Sequence, residues 1–160
     1  MRIKTELSER PPVFTVNQEG DRAVIIFYTD IKEIQREDGE TAWEAVSWTL
    51  ESSWTDNIME RITENQAAWL AEAQAEAYEE AAAKVRSLRD KLLADSDAMM
   101  AIDRLGLEVP SGSNFTAWLS FLRGIGDALT GAIKNYRQAL RDLPEQPGFP
   151  FDIDWPNKPE

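Results

Sequence analysis

The chain has 160 residues, 42% of them hydrophobic and 29% charged, and a formal net charge of -12. That length suffices for one ordinary core or two small halves, and the absence of any Cys or His excludes a disulfide framework, a thiol nucleophile, a zinc site of the usual kind and an imidazole base. Acidic residues outnumber basic ones throughout, 11 to 6 over 1–55, 10 to 5 over 56–97 and 8 to 6 over 98–160, so no segment offers the basic face on which nucleic-acid binding depends.

The start MRIKTELSERPP is charged and has no apolar run before a small-residue cleavage site, so no secretory signal is expected. VFTV (13–16) and AVIIFYTD (23–30) are β-rich runs separated by NQEGD, whose Gly20 and flanking Asn and Asp favour a turn; they read as a hairpin. IKEIQR (31–36) and TAWEAVSWTLESSW (41–54) follow, parted by EDGE, in which Asp38-Gly39 is a two-residue hairpin signal. Residues 1–55 therefore predict an antiparallel meander of three or four strands, too thin to persist unless a helix covers one face.

Thr55 or Asp56 is placed to cap the next element, which holds no Gly or Pro from Asn57 to Asp95. Ile58, Ile62, Trp69, Ala73, Val85, Leu88 and Leu92 recur at spacings of three, four and seven, the stripe of an amphipathic helix. At 1.5 Å per residue such a helix would span roughly 55–60 Å, about twice the width of a small domain, so part of it must project or find a partner. Its Ala-rich middle, 67–83, either admits a second helix closely or forms a solvated rod. Glu72, Glu76, Glu79 and Glu80 make an acidic face, while Lys84, Arg86, Arg89 and Lys91 sit toward the C-terminal end, where the helix dipole favours cations.

SDAMMAIDRLGL (96–107) reads as a further short helix, closed by the loop EVPSGSN. Asn114 then caps a last helix to Leu143, along which Phe115, Trp118, Leu122, Ile125, Leu129, Ala132, Tyr136, Ala139 and Leu143 alternate by three and four. That is a coiled-coil seam or the buried face of a helical hairpin. Gly124, Gly126 and Gly131 weaken it by about 1 kcal/mol each relative to Ala, so packing must hold it. Arg123 and Asp127 stand at the centre of this most apolar stretch, which argues against a membrane span.

Pro144 cannot donate the next helical hydrogen bond and ends the helix. Beyond it Phe149, Phe151, Ile153 and Trp155 occupy alternate positions with Asp152 and Asp154 between them, the period of an extended segment with one apolar and one acidic side. Pro147, Pro150, Pro156 and Pro159 restrict the chain and lower the entropy lost on docking. This tail is suited to lie on a surface, either the chain's own meander and helices or an external partner. The expected fold class is α+β: a β-meander over 1–55, long helices forming a hairpin or coiled coil over 56–143, and an extended Pro-rich and aromatic tail over 144–160.

Little here points to catalysis. Asp152 and Asp154 could be read as a metal pair, but in a Pro-rich tail they are more simply the wet side of a docked strand. GIGDALTG lacks the glycine spacing and the preceding strand of a phosphate loop. No catalytic, cofactor-binding or metal residue is assigned, and no enzyme activity or cofactor is expected. A sugar hydrolase would need a carboxylate pair in a cleft, and the Trp residues serve equally as core and interface anchors.

YRQALRDLPEQPGF (136–149) followed by DIDWPNKP (152–159) resembles the C-terminal signature of tailed-bacteriophage tail-fibre assembly proteins and tail assembly chaperones, and RDKLLADSD (89–97) is similar to a block that precedes it in that family. The resemblance covers about a quarter of the chain. Its family-like positions are Tyr136, Arg137, Leu140, Arg141, Pro144, Pro147, Gly148, Phe149, Pro150, Trp155 and Pro156. The chain departs from the pattern at Ala98, where relatives carry Trp, and in the long stretch 98–135 between the blocks. The resemblance implies a non-enzymatic protein that binds a tail-fibre or other tail protein in the host cytoplasm and assists its folding, trimerisation or attachment. Tyr136, Arg137, Arg141, Phe149, Phe151, Ile153 and Trp155 are the expected partner-binding residues. Phe115, Trp118, Leu122, Ile125, Leu129 and Tyr136 are the expected seam of a homo-oligomer, trimer or dimer. The alternative is a structural part of the virion tail, a trimeric fibre or connector built on that seam. Neither nucleic acid nor membrane is expected as a partner.

Overall fold

Alternating apolar residues in the first third build a four-stranded antiparallel sheet from β1 (Arg2–Leu7), β2 (Phe14–Glu19), β3 (Arg22–Gln35) and β4 (Thr41–Ser53), in the order β1-β4-β3-β2. The computed structural model describes residues 1–37, 39–99 and 108–159, and these fall into two compact units, Met1–Ala81 and Ala82–Glu160.

In the first unit, β2 and β3 form the expected hairpin, with Glu19 opposite Arg22 and Gly20 at φ 66°. Gly39 adopts φ 83° in the β3–β4 connection; Asp38, the other half of that hairpin signal, lies outside the described residues. Two features differ from the sequence expectation. The runs 23–30 and 31–36 join into the single strand β3, with an irregularity between Thr29 and Lys32 where Asp30 takes φ 52°. The charged start becomes β1, paired with β4 from Arg2 opposite Trp48 to Leu7 opposite Trp43.

Ile25 and Phe27 on β3 oppose Leu50 and Trp48 on β4 and face a helical cover. That cover is α1 (Ile58–Glu64), through Ile58 and Ile62, and α2 (Gln66–Met99), through Ala73, with Trp54, Trp69 and Leu70 around them. Ile58 and Ile62 are fully buried, each contributing about 1.5–3 kcal/mol of apolar transfer. A helix as short as α1 has no stability of its own and depends on this contact. The helix read as continuous from residue 56 is parted at Asn65 (φ -129°, ψ 39°), whose carbonyl accepts from the Ala68 and Trp69 amides. Asn competes with the helical backbone for hydrogen bonds, which suits it to such a break. The N-cap is Asn57, without a side-chain capping bond, in place of Thr55 or Asp56.

The second unit holds the rest of α2, then α3 (Phe115–Thr130), α4 (Ala132–Arg141), a short 3₁₀ turn at Leu143–Glu145 and an irregular tail. Of the proposed short helix at 96–107, the first residues extend α2 to Met99 and 100–107 lie outside the described residues. Asn114 caps α3 as expected, its Oδ1 accepting from the Thr116 and Ala117 amides at 3.0 and 3.4 Å. The single helix expected to reach Leu143 is instead two, because Gly131 is extended (φ -89°, ψ -153°). A Cβ there would come 2.7 Å from the Asp127 carbonyl oxygen, so the break is made at a residue without one. The long apolar seam is thereby divided, with Phe115 to Leu129 on α3 and Tyr136 on α4.

Candidate functional site

The signature blocks of the second unit meet in space. Arg137 on α4 reaches α2 and donates through Nη1 to the Leu93 carbonyl (3.3 Å), the Ser96 hydroxyl (2.6 Å) and the Asp97 carboxylate (2.5 Å). Ser96 is itself buried and donates to the Leu93 carbonyl at 2.6 Å. One guanidinium nitrogen thus joins YRQALRD to the end of RDKLLADSD. Below this node Tyr136, Leu140 and Leu143 are buried against Leu92, Leu93, Ile153 and Trp155.

The tail closes over the same cluster. The Gln146 side chain pairs with the Asp154 backbone, Nε2 donating to its carbonyl (2.8 Å) and Oε1 accepting from its amide (2.9 Å). Between them the chain turns at Gly148, whose carbonyl accepts from the Phe151 and Asp152 amides. A Cβ on Gly148 would collide with the Asp152 carbonyl oxygen, so the turn requires glycine. Phe151, Ile153 and Trp155 are half-buried while Asp152 and Asp154 are exposed, but the extended run expected from Phe149 is instead turned as far as Asp152. Phe149 lies beneath the Arg86 guanidinium, 6.0 Å from its ring centroid. Of the expected partner-binding residues, then, Tyr136, Ile153 and Trp155 join the unit's own core, Arg137 ties α4 to α2, and Arg141 is exposed on α4.

The expected seam residues on α3 have different surroundings. Phe115 is 78% exposed, Trp118 38%, Leu119 40% and Leu122 59%. They stand at i, i+3, i+4 and i+7, one face of a helix. Trp118 is held by a hydrogen bond from its indole nitrogen to the Gly112 carbonyl (2.8 Å) and by an edge contact with Phe121 at 5.9 Å. The neighbouring side, Ala117, Phe121 and Ile125, is half-buried, and Ala117 and Phe121 border an open cleft of about 400 Å³ lined also by Glu108, Val109, Pro110 and Ser111. Ile125, three residues after Leu122 and seven after Trp118, lies at the edge of the stripe and is half-buried, and the side chain of Leu129 lies outside the described residues. Leu119 belongs to the stripe but was not among the seam residues, because a strict alternation of three and four from Phe115 passes over it; the i, i+4 spacing was the available signal. Among the described residues no group of carboxylates is placed to hold a metal ion, and no helix is long and apolar enough to cross a membrane.

Residues 82–160 match the family model of the phage tail assembly chaperone protein, a stretch that coincides with the second compact unit. The chain's C-terminal unit belongs to the phage tail assembly chaperone family. The work of that family is phage tail assembly, a process of the infected host cell. No curated protein and no solved structure matches it.

Proposed function

We propose that this protein is a non-enzymatic chaperone that binds a tail-fibre or receptor-binding protein and keeps its apolar surface covered until the fibre trimerises or attaches. The observation that carries the reading is the uncovered stripe of Phe115, Trp118, Leu119 and Leu122 within the family-matched unit. A fibre subunit that has not yet trimerised exposes apolar surface and strand edges prone to misassociation. An apolar helix face can occupy such a surface by helix-in-groove contact, with the aromatic anchors typical of interface centres. Arg141, exposed on α4, and the half-buried Phe149 and Phe151 supply secondary contacts in this reading, while Tyr136, Arg137, Ile153 and Trp155 hold the unit in shape.

The test is co-expression with the phage's own tail-fibre protein. Capture of the fibre protein is expected with the unaltered chain and lost with the double variant Phe115→Ser, Leu122→Ser; undiminished capture by that variant would sink the reading. The same stripe favours one other assignment, a built-in tail part oligomerised through α3. Quantitative mass spectrometry of purified particles separates the two, since a transient chaperone is absent from them and a structural part is present at a fixed count in multiples of three.

A further inference from the structure

The uncovered face of α3 has the composition of a surface that fits a second copy of itself. The chain's acidity is concentrated elsewhere: residues 1–81 carry 7 basic and 18 acidic groups, residues 82–160 carry 10 and 11. At 100° per residue, Phe115, Trp118, Leu119, Leu122 and Gly126 share one face, and the two charges of the helix, Arg123 and Asp127, fall to one side of it. Two such faces meet without the like-charge contact that normally penalises pairing of identical acidic surfaces.

Their shapes also correspond. One turn before Leu122 stands Trp118, and one turn after it stands Gly126, where an added Cβ would meet nothing within 4 Å. We propose that α3 pairs with α3 of a second copy, antiparallel about a two-fold axis at Leu122. Positions equally distant from Leu122 then oppose each other, so that each Trp118 fills the space over the other copy's Gly126 and Leu122 meets its own counterpart. A parallel pair would set Trp118 against Trp118 and leave Gly126 facing an unfilled gap. The antiparallel arrangement also places opposite ends of the two helix dipoles side by side.

With aromatic side chains of about 150–250 Å² and their observed exposure, each copy offers on the order of 400 Å² of apolar surface from these four residues. Two copies at the roughly 65% apolar content of homodimer interfaces give about 1,200 Å² buried in all, the lower limit of specific interfaces. Such a pair dissociates readily, so the face that stores the protein as a dimer becomes available to a tail protein. The pairing shares its surface with the client-binding reading, but its test involves no client, so either can fail alone.

The chain has no cysteine, so Leu122→Cys and Gly126→Cys each place a single thiol in the full-length protein. Leu122→Cys is expected to form a disulfide-linked dimer under mild oxidation. Gly126→Cys is expected to stay reduced, because in the antiparallel pair its two copies lie about 12 Å apart along the helices, beyond the roughly 7 Å limit between bridged Cα atoms. Light scattering of the unaltered chain should show a mass rising with concentration from one chain toward two. Cross-linking of both variants, failure of Leu122→Cys to cross-link, or a mass that stays at one chain or reaches three would each overturn the antiparallel pair.

Discussion

The C-terminal unit contains two apolar helical stretches that differ in what they touch. Along α4 and the tail, Tyr136, Leu140, Leu143, Ile153 and Trp155 are packed on α2, and the polar groups nearby are paired, Arg137 with Ser96 and Asp97 and Gln146 with the Asp154 backbone. Along α3, Phe115, Leu119 and Leu122 face outward. The first stretch is the family signature, and its residues are explained by the unit's own folding. The second lies in the long segment between the signature blocks, and its face of Phe115, Leu119 and Leu122 stays exposed among the described residues. A motif specific enough to reveal a family can thus be the part that builds the scaffold. The distinction matters because apolar residues that stabilise a fold and apolar residues that await a partner look alike in a sequence.

The sharpest way to break this contrast is at its buried end. Leu140→Ala removes a side chain with no exposure from the centre of the cluster, at an expected cost of about 2–5 kcal/mol. Urea denaturation followed by circular dichroism should show it as a large fall in midpoint for the C-terminal unit. An unchanged midpoint would mean that this cluster does not hold the unit together.

Arg137→Ala comes next. It deprives the Leu93 carbonyl, Ser96 and Asp97 of a charged donor; hydrogen bonds to charged groups contribute about 1.5–3 kcal/mol each, and solvent exposure of Asp97 (68%) reduces its share. Arg137→Lys should recover only part of the loss, because the ammonium sits on a shorter, more flexible stem than the guanidinium nitrogen that makes all three contacts. Hydrogen exchange at residues 92–97 reports the effect locally, and equal protection in all three proteins would show the node to be incidental. Gln146→Ala should cost less, about 1 kcal/mol, since its two bonds to Asp154 are neutral and exposed. It should loosen the tail alone, visible as faster exchange at the Asp154 amide.

How much of this could be read in advance follows from the range of each interaction. The β2–β3 hairpin and the Asn114 cap rest on residues near one another in the chain, and each was legible. β1 was overlooked because its charges obscured the alternation of Ile3, Thr5 and Leu7; it is an edge strand, and charged side chains are how edges are protected. The breaks at Asn65 and Gly131 fall inside periodic stretches, where spacing alone gives no reason to stop and the break depends on the single residue at that position. The contacts of Arg137 with Ser96 and of Gln146 with Asp154 depend on the path of the chain between them, which one sequence does not specify. For the same reason the apolar face of α3 was visible as a seam, while its lack of a covering element was not.

The smallest expected effect on stability carries the most weight for function. Phe115→Ser together with Leu122→Ser replaces two outward-facing apolar side chains, and substitutions at such positions usually change stability by no more than about 0.5 kcal/mol. The urea midpoint should therefore match that of the unaltered chain, in contrast to Leu140→Ala, and binding of a hydrophobic dye should fall because the uncovered stripe is its natural site. The two helical stretches would then be separated by experiment as they are by burial, one needed for folding and the other dispensable to it. A large loss of stability would instead place α3 in the unit's own core, and the reason for reading its apolar face as a binding surface would disappear with it.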